Sequence, residues 1–194
     1  MDDNQFQLVP LSANHNVNNI KTGDERFVPL KNFLKKQALI FHDSFIAKTY
    51  VITDSNEKEK VIGYITLITS QIDISGVSLV EGLPGADTYD YFPAIKIARL
   101  LVDKRCRGQR IGETLIDFAL YIAEKRIMPA VGCRFLIVDS KPEAVDFYKK
   151  CGFELIDTPE NLKSDAPILC FDLAQLVETE IIEEDVSEEE LSLM

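Results

Sequence analysis

The spacing of apolar and polar positions changes several times along the chain, and each change marks an element. Residues 23–38, GDERFVPLKNFLKKQA, place Phe27, Leu30, Phe33, Leu34 and Ala38 three or four apart or in helical multiples, with acidic residues at the start. That pattern predicts an amphipathic helix. AKTYVITD reads as a strand, SNEKEK as a charged turn, and VIGYITLITSQIDI as a longer β-rich segment. EGLPGADTYDYFP follows, a loop punctuated by Gly and Pro. A long loop inside a compact domain is often functional, which makes it a candidate substrate-side segment.

The second half alternates. Ile95 to Asp103 reads as a strand, and Ile111 to Ile127 as a helix with Leu115, Ala119, Ile122 and Ala123 along one face. RFLIVD is a buried strand. In SKPEAVDFYKKCGF, Ser140 and Glu143 form an S-x-x-E capping pattern, Pro142 sits in the first turn and Gly152 stops the helix. FELID and PILCFDL give two more strands, antiparallel through the turn at 158–166. A β-α-β-α core closed by a strand pair makes a mixed sheet with helices on its faces. The expected class is therefore α/β (or α+β), one domain over 1–173 followed by an acidic tail or helix over 174–194.

Composition narrows this without changing it. At 194 residues and 46% hydrophobic content, folding buries roughly 70% of the unfolded surface, so no disulfide staple is needed. Cys106, Cys133, Cys151 and Cys170 form no C-x-x-C pair, and His15 and His42 are the only histidines. No metal is expected, and the thiols read as free in a reducing compartment. The N-terminus has no basic flank before an apolar core, and no apolar run approaches the ~18 residues of a membrane span. A cytoplasmic protein without a membrane partner is the expectation. The net charge of -11 is concentrated at one end: from Phe171 onward there are nine acidic residues and no Lys or Arg. Such a tail is either solvated or a cover for a basic patch on its own or a neighbouring subunit.

The candidate chemistry starts at RCRGQRIGETL, Arg105 to Leu115, between an apolar strand and a helix. A helix N-terminus after a strand offers unpaired N–H groups and a partial positive charge, a ready anion site. Gly108 and Gly112 allow close backbone approach, and Arg105, Arg107 and Arg110 suit a phosphate-rich ligand. The spacing fits neither G-x-x-x-x-G-K-[ST] nor G-x-G-x-x-G.

The loop does resemble the R/Q-x-x-G-x-G/A motif of the GCN5-related N-acetyltransferases, read as Arg107-Gly108-Gln109-Arg110-Ile111-Gly112. Arg110 stands where the family has its first glycine, a place that suits a side chain only at negative φ. Further on, Phe147, Tyr148, Gly152 and Phe153 match the family's F-Y-x-x-x-G-F helix end, and the likeness runs from about Val61 to Leu173. The resemblance implies acetyl-CoA as cosubstrate, its pyrophosphate held by Arg107, Gly108, Gln109, Arg110, Ile111, Gly112, Glu113 and Thr114. It also implies that the strand around Leu100, Leu101 and Val102 meets the pantetheine arm and polarises the thioester. Tyr148 would be the general acid, donating to the departing thiolate; the bland alternative is that Tyr148 only packs beside Ala144 and Cys151. No firm base stands out: Glu81, Asp87 and Asp90 in the long loop could act directly or through water, but simple solvation is the stronger reading of each. Some relatives use water with no dedicated base. Arg99 is expected in a structural ion pair, or else on the acceptor side. The arginines around Cys106 are expected to lower its thiol pKa.

The front half is similar more narrowly to acetyltransferases of toxin–antitoxin type. It shares Leu30, Phe33, Leu34 and Ala38 of a G-x-x-x-L-D-x-F-L-x-x-x-A helix, the GYITL strand, and YFPAIKIARLLVD. Lys31 replaces the usual acidic residue. Toxins of this sort acetylate the amino group of aminoacyl-tRNA. A near-neutral body with an acidic tail argues against that acceptor unless the basic residues cluster. The expected function is acetyl transfer to a primary amine on a small molecule or protein, with aminoacyl-tRNA, a non-catalytic CoA-binding module, a homodimer and an antitoxin partner left open.

Overall fold

The computed structural model describes residues 6–55, 57–73, 83–86 and 88–177. The acidic tail beyond Val177, and Glu81 and Asp87 of the long loop, lie outside these. The chain forms two compact units, Met1–Thr69 with Lys96–Ala119, and Ser70–Ile95 with Leu120–Met194.

The first unit opens with strand β1 (Phe6–Pro10), which the sequence reading missed. It is short, and only FQLV carries a strand signal. β1 pairs antiparallel with β2 (Lys48–Asp54), Phe6 opposite Asp54 and Pro10 opposite Tyr50. Between them the predicted helix forms as a 3-10 turn, Glu25–Phe27, and α1 (Val28–Lys36). A second helix, α2 (Ala38–Asp43), continues beyond the predicted end. Asp24 caps the entry, accepting from the Arg26 N–H. Phe33, Leu34 and Ala38 are buried and join Leu11, Ile20, Val51, Val61, Tyr64 and Leu101 in one core.

β2 pairs antiparallel with β3 (Glu57–Asp73). β3 begins inside the stretch expected to be a charged turn, because EKEK continues the hairpin past a bulge at Ile52–Asp54. β4 (Tyr91–Val102) also starts earlier than expected, taking in Tyr91, Phe92 and Pro93 from the predicted loop. The strand order in this unit is β1-β2-β3-β4.

In the second unit the order is β4-β5-β7-β6, with β5 (Phe135–Asp139), β6 (Glu154–Leu155) and β7 (Ile168–Asp172). The predicted antiparallel strand pair is present, with Glu154 opposite Cys170, and β7 also pairs antiparallel with β5. β4 and β5 are neighbours in the order, joined through the helical crossover α3 (Ile111–Ile122). Such a crossover is the connection that parallel strands require. The class is thus α/β, a mixed seven-stranded sheet flanked by helices. α3 ends in a π turn, Ala123–Ile127, where one helix was expected to run through. Between β6 and β7, α5 (Pro159–Leu162) is capped by Thr158, and the Asn161 side chain bonds both Ile156 O and Ile168 O at 2.9 Å.

The helix containing Tyr148 is α4 (Val145–Lys150), entered by a 3-10 turn, Pro142–Ala144. The expected capping box is absent. Ser140 Oγ donates to Lys141 O at 2.8 Å, and Lys141 holds the cap position without a side-chain bond. The stop is as expected. Gly152 has φ 86°, its N–H bonds Lys149 O, and the Phe153 N–H reaches back to Tyr148 O at 3.1 Å. This is a Schellman ending.

Candidate active site

β4 delivers the chain into the arginine-glycine loop at Asp103, whose buried side chain organises the turn. Its carboxylate accepts from the Arg105 N–H and Nε at 2.9 Å each, from Arg105 Nη2 at 2.6 Å and from the Lys21 N–H at 3.1 Å. Burial by itself would raise this carboxyl's pKa; the Arg105 side chain and the two N–H groups outweigh it and hold it below the usual value. Asp103 also ties the loop to β3 through its own N–H, 2.7 Å from Ile62 O.

The loop is strapped on its other side by residues 19–24. Arg105 Nη2 donates to Asn19 O, Lys104 N–H to Lys21 O at 2.8 Å, and Arg107 Nη2 to Thr22 O at 2.8 Å. No sequence signal announces this strap, since Lys21 and Asp103 are 82 residues apart. Arg105 is committed to Asp103 and is not the free phosphate ligand its composition suggested.

Gly108 has φ 82° with nothing within 4 Å of where a Cβ would stand, so the backbone conformation alone demands glycine. Arg110 has φ 59°, the left-handed conformation, contrary to the expectation of a negative φ. It carries strain that a glycine would not. Its Nε pairs with Glu113 at 2.6 Å, and its carbonyl accepts the Thr114 N–H at 3.0 Å, the first helical bond of α3. The N–H groups of Ile111, Gly112 and Glu113 therefore have no intrahelical partner and point out of the helix start.

Ile111 fixes that start in place. It is buried, and a Cβ on Gly63 would meet its Cγ2 at 3.1 Å, Leu101 O at 3.4 Å and Leu115 Cδ1 at 3.5 Å. Gly63 thus lets α3 sit close on β3. Leu100, Leu101 and Val102 close β4 immediately before the turn, Leu101 buried and its neighbours half-buried. The first unit so brings together Leu100 to Thr114 as one strand end, turn and helix start.

Tyr148 belongs to the second unit. It is 6% exposed and packed edge-on against Phe147 at 5.1 Å and Phe153 at 5.6 Å. Burial, helped by Cys151, pushes its phenol pKa up, so the proton stays on. Two side chains differ from expectation. Arg99 stacks on the Phe33 ring, 3.9 Å from its centroid, and among the described residues no ion pair of Arg99 occurs. The Cys106 thiol is pushed up, first by burial and then by Asp103, which together outweigh the lowering by Arg105 and Lys60. Asp90 is exposed to solvent. Among the described residues no cluster of metal-ligating side chains occurs and no helix is long and apolar enough to cross a membrane.

A strand ending in a turn that exposes helix N–H groups, followed by a Schellman-ended helix bearing a buried tyrosine, matches a known family. The model of the acetyltransferase (GNAT) domain matches residues 46–155. The chain belongs to the GNAT acetyltransferases. It is an N-acetyltransferase by family, and solved GNAT structures share its fold. A tyrosine-to-phenylalanine mutant of KacT superposes with a TM-score of 0.78 at 22% identity, covering 90% of this chain and 99% of that one. AtaT complexed with acetyl-methionyl-tRNAfMet gives 0.75 at 23% identity, covering 90% and 98%. A mutant of the toxin AtaT bound to the C-terminus of the antitoxin AtaR and acetyl-CoA gives 0.69 at 21%, covering 88% and 95%. The GNAT match spans the Gly63 contact, the arginine-glycine loop and the tyrosine helix.

Proposed function

We propose that this GNAT chain transfers the acetyl group of acetyl-CoA directly to a primary amine. Residues Arg107 to Thr114 hold the pyrophosphate, with the N–H groups of Ile111, Gly112 and Glu113 as donors. The observation that carries this reading is the start of α3, where Ile111 packs closely against Gly63, and where the first three N–H groups of the helix lack intrahelical partners. Fixed donors of this kind bind an anion without reorganising. The end of β4, Leu100 to Val102, polarises the thioester carbonyl through its backbone. Tyr148, kept protonated by burial, gives its proton to the departing thiolate as the amine nitrogen bonds to the carbonyl carbon. Water takes the proton that the amine loses. Residues 1–173 act as the catalytic domain, and the acidic tail stands apart from this chemistry.

The second reading names the acceptor as the α-amino group of an aminoacyl-tRNA. A neighbour solved with acetyl-methionyl-tRNAfMet supports it, and so does the charge distribution. The first unit carries 14 Lys and Arg against 11 Asp and Glu, the second 7 against 21. The first unit thus has a small excess of basic residues, which weakens the charge objection to a phosphate-rich acceptor. An antitoxin-like protein is the corresponding partner. A thiol-release assay with acetyl-CoA and a panel of small amines, peptides and charged tRNAs tests both. Turnover on some amine is expected, and release confined to charged tRNA would select the second reading. Saturable acetyl-CoA binding with no turnover on any acceptor would overturn the enzymatic account.

A further inference from the structure

We propose that the apolar, lysine-flanked end of α2 is a docking face for the acidic segment that closes this same chain, residues 178–194. The proposal is independent of the acetyl-CoA reading and survives its failure.

α2 ends in a Schellman turn. The Ile46 N–H bonds Phe41 O at 3.0 Å and the Phe45 N–H bonds His42 O at 3.4 Å. Phe45 thus holds the position that glycine usually fills, with φ 59°. A side chain there strains the backbone, and this one gains no burial in return, since Phe45 is 82% exposed. Its ring meets the Lys48 ammonium, 4.1 Å from the centroid, which His42 O holds at 2.9 Å. Ile40 and Ile46, in the same turn, are 62% and 59% exposed. Three large apolar side chains therefore stand in solvent within seven residues, one of them at a cost in strain. Stability of the chain by itself gives no reason for that arrangement; a surface that must be covered does.

The face is also cationic. Residues 28–48 hold Lys31, Lys35, Lys36 and Lys48 against one carboxylate, Asp43. Lys35 and Lys36 lie in the last turn of α1. The Gln37 N–H bonds Phe33 O and the Phe41 N–H bonds Gln37 O, both at 2.9 Å, so the helical path continues into α2. Lys36 stands one turn before Ile40 on that path. Among the described residues no ion pair of these four lysines occurs.

The matching occupant is acidic and apolar at once. Residues 178–194, ETEIIEEDVSEEELSLM, carry eight Asp and Glu, no Lys or Arg, and six apolar side chains. Ile181 and Ile182 have acids on both sides, as Phe45 and Ile46 have lysines. Seventeen residues extend to roughly 55–60 Å, so reach does not limit the contact. The tether supplies an effective concentration of about millimolar, which makes a contact of modest affinity sufficient.

Digestion of the full-length protein with a Glu-specific protease, read by intact mass, tests the contact. Cutting within 178–194 should be about tenfold slower than in a synthetic peptide of that sequence, because cleavage follows the undocked population. About 0.5 M salt should bring the two rates closer by screening the lysines. Phe45→Gly gives the turn the residue it favours, so the melting temperature should hold while cutting rises to within about twofold of the peptide. Peptide-like cutting of the unaltered protein overturns the proposal, as does full protection persisting in Phe45→Gly. Protection that grows with protein concentration gives the face to a second copy and overturns it equally.

Discussion

Arg110 stands at the family's glycine position with the backbone of a glycine, φ 59°. Its side chain gains one exposed pair with Glu113, and such pairs contribute little. Arg110→Gly should therefore raise the melting temperature by about 2 °C, the relieved strain partly offset by glycine's entropy. Acetyl-CoA affinity should hold, since the N–H is unchanged. A fall in melting temperature by scanning calorimetry would show that the Glu113 pair outweighs the strain. Tyr148 allows a second residue-scale prediction. Tyr148→Phe should lower kcat by about 10²- to 10⁴-fold while leaving acetyl-CoA binding intact. Because burial raises the phenol's pKa, any alkaline loss of kcat below pH ~10 must come from another group. If Tyr148→Phe keeps full turnover, the packing role is its whole role.

At the scale of elements, the turn after β4 depends on Asp103 more than on any arginine. Asp103→Ala strips the acceptor from two backbone N–H groups and should cost about 2–3 kcal/mol in urea unfolding. A loss below about 0.5 kcal/mol would mean the strap of residues 19–24 holds without it. This was the least legible part of the sequence. Gly108, Gly152 and the apolar run before the loop announce themselves because glycine and periodicity are local signals. Asp103 and Lys21 meet across 82 positions, and Gly63 meets Ile111 from another strand, so nothing nearby in the chain marks them. The capping box at Ser140 failed for a related reason. Its hydroxyl found Lys141 O nearer, and the helix entered through a 3-10 turn. β1 was missed because a five-residue strand is fixed by its partner β2 rather than by its own pattern.

Across the whole molecule, charge divides between the two units. The excess of basic residues lies in the unit that holds the loop, and the acidic excess in the other. That asymmetry is invisible in the net charge, which is why the sequence reading ranked tRNA behind smaller acceptors. Stability should respond to acid in two steps. Burial, then Lys48, depresses the His42 pKa from 6.5, and its Nδ1 accepts the Thr49 N–H at 3.1 Å. The fold therefore favours neutral His42, and stability falls as pH drops below 6.5. Asp103, held below 3.8, contributes a further loss at lower pH. His42→Gln should remove the first step from a stability–pH profile and leave the second; a first step that persists would assign it elsewhere.

The central claim is that the N–H groups at the head of α3 grip the pyrophosphate of acetyl-CoA. Titration calorimetry of the unaltered protein beside Gly112→Asp tests it most directly. One saturable site is expected in the unaltered protein, weakened at least about tenfold by the added carboxylate. A folded, ligand-free protein that releases no heat, or a Gly112→Asp variant that binds as tightly, would contradict it.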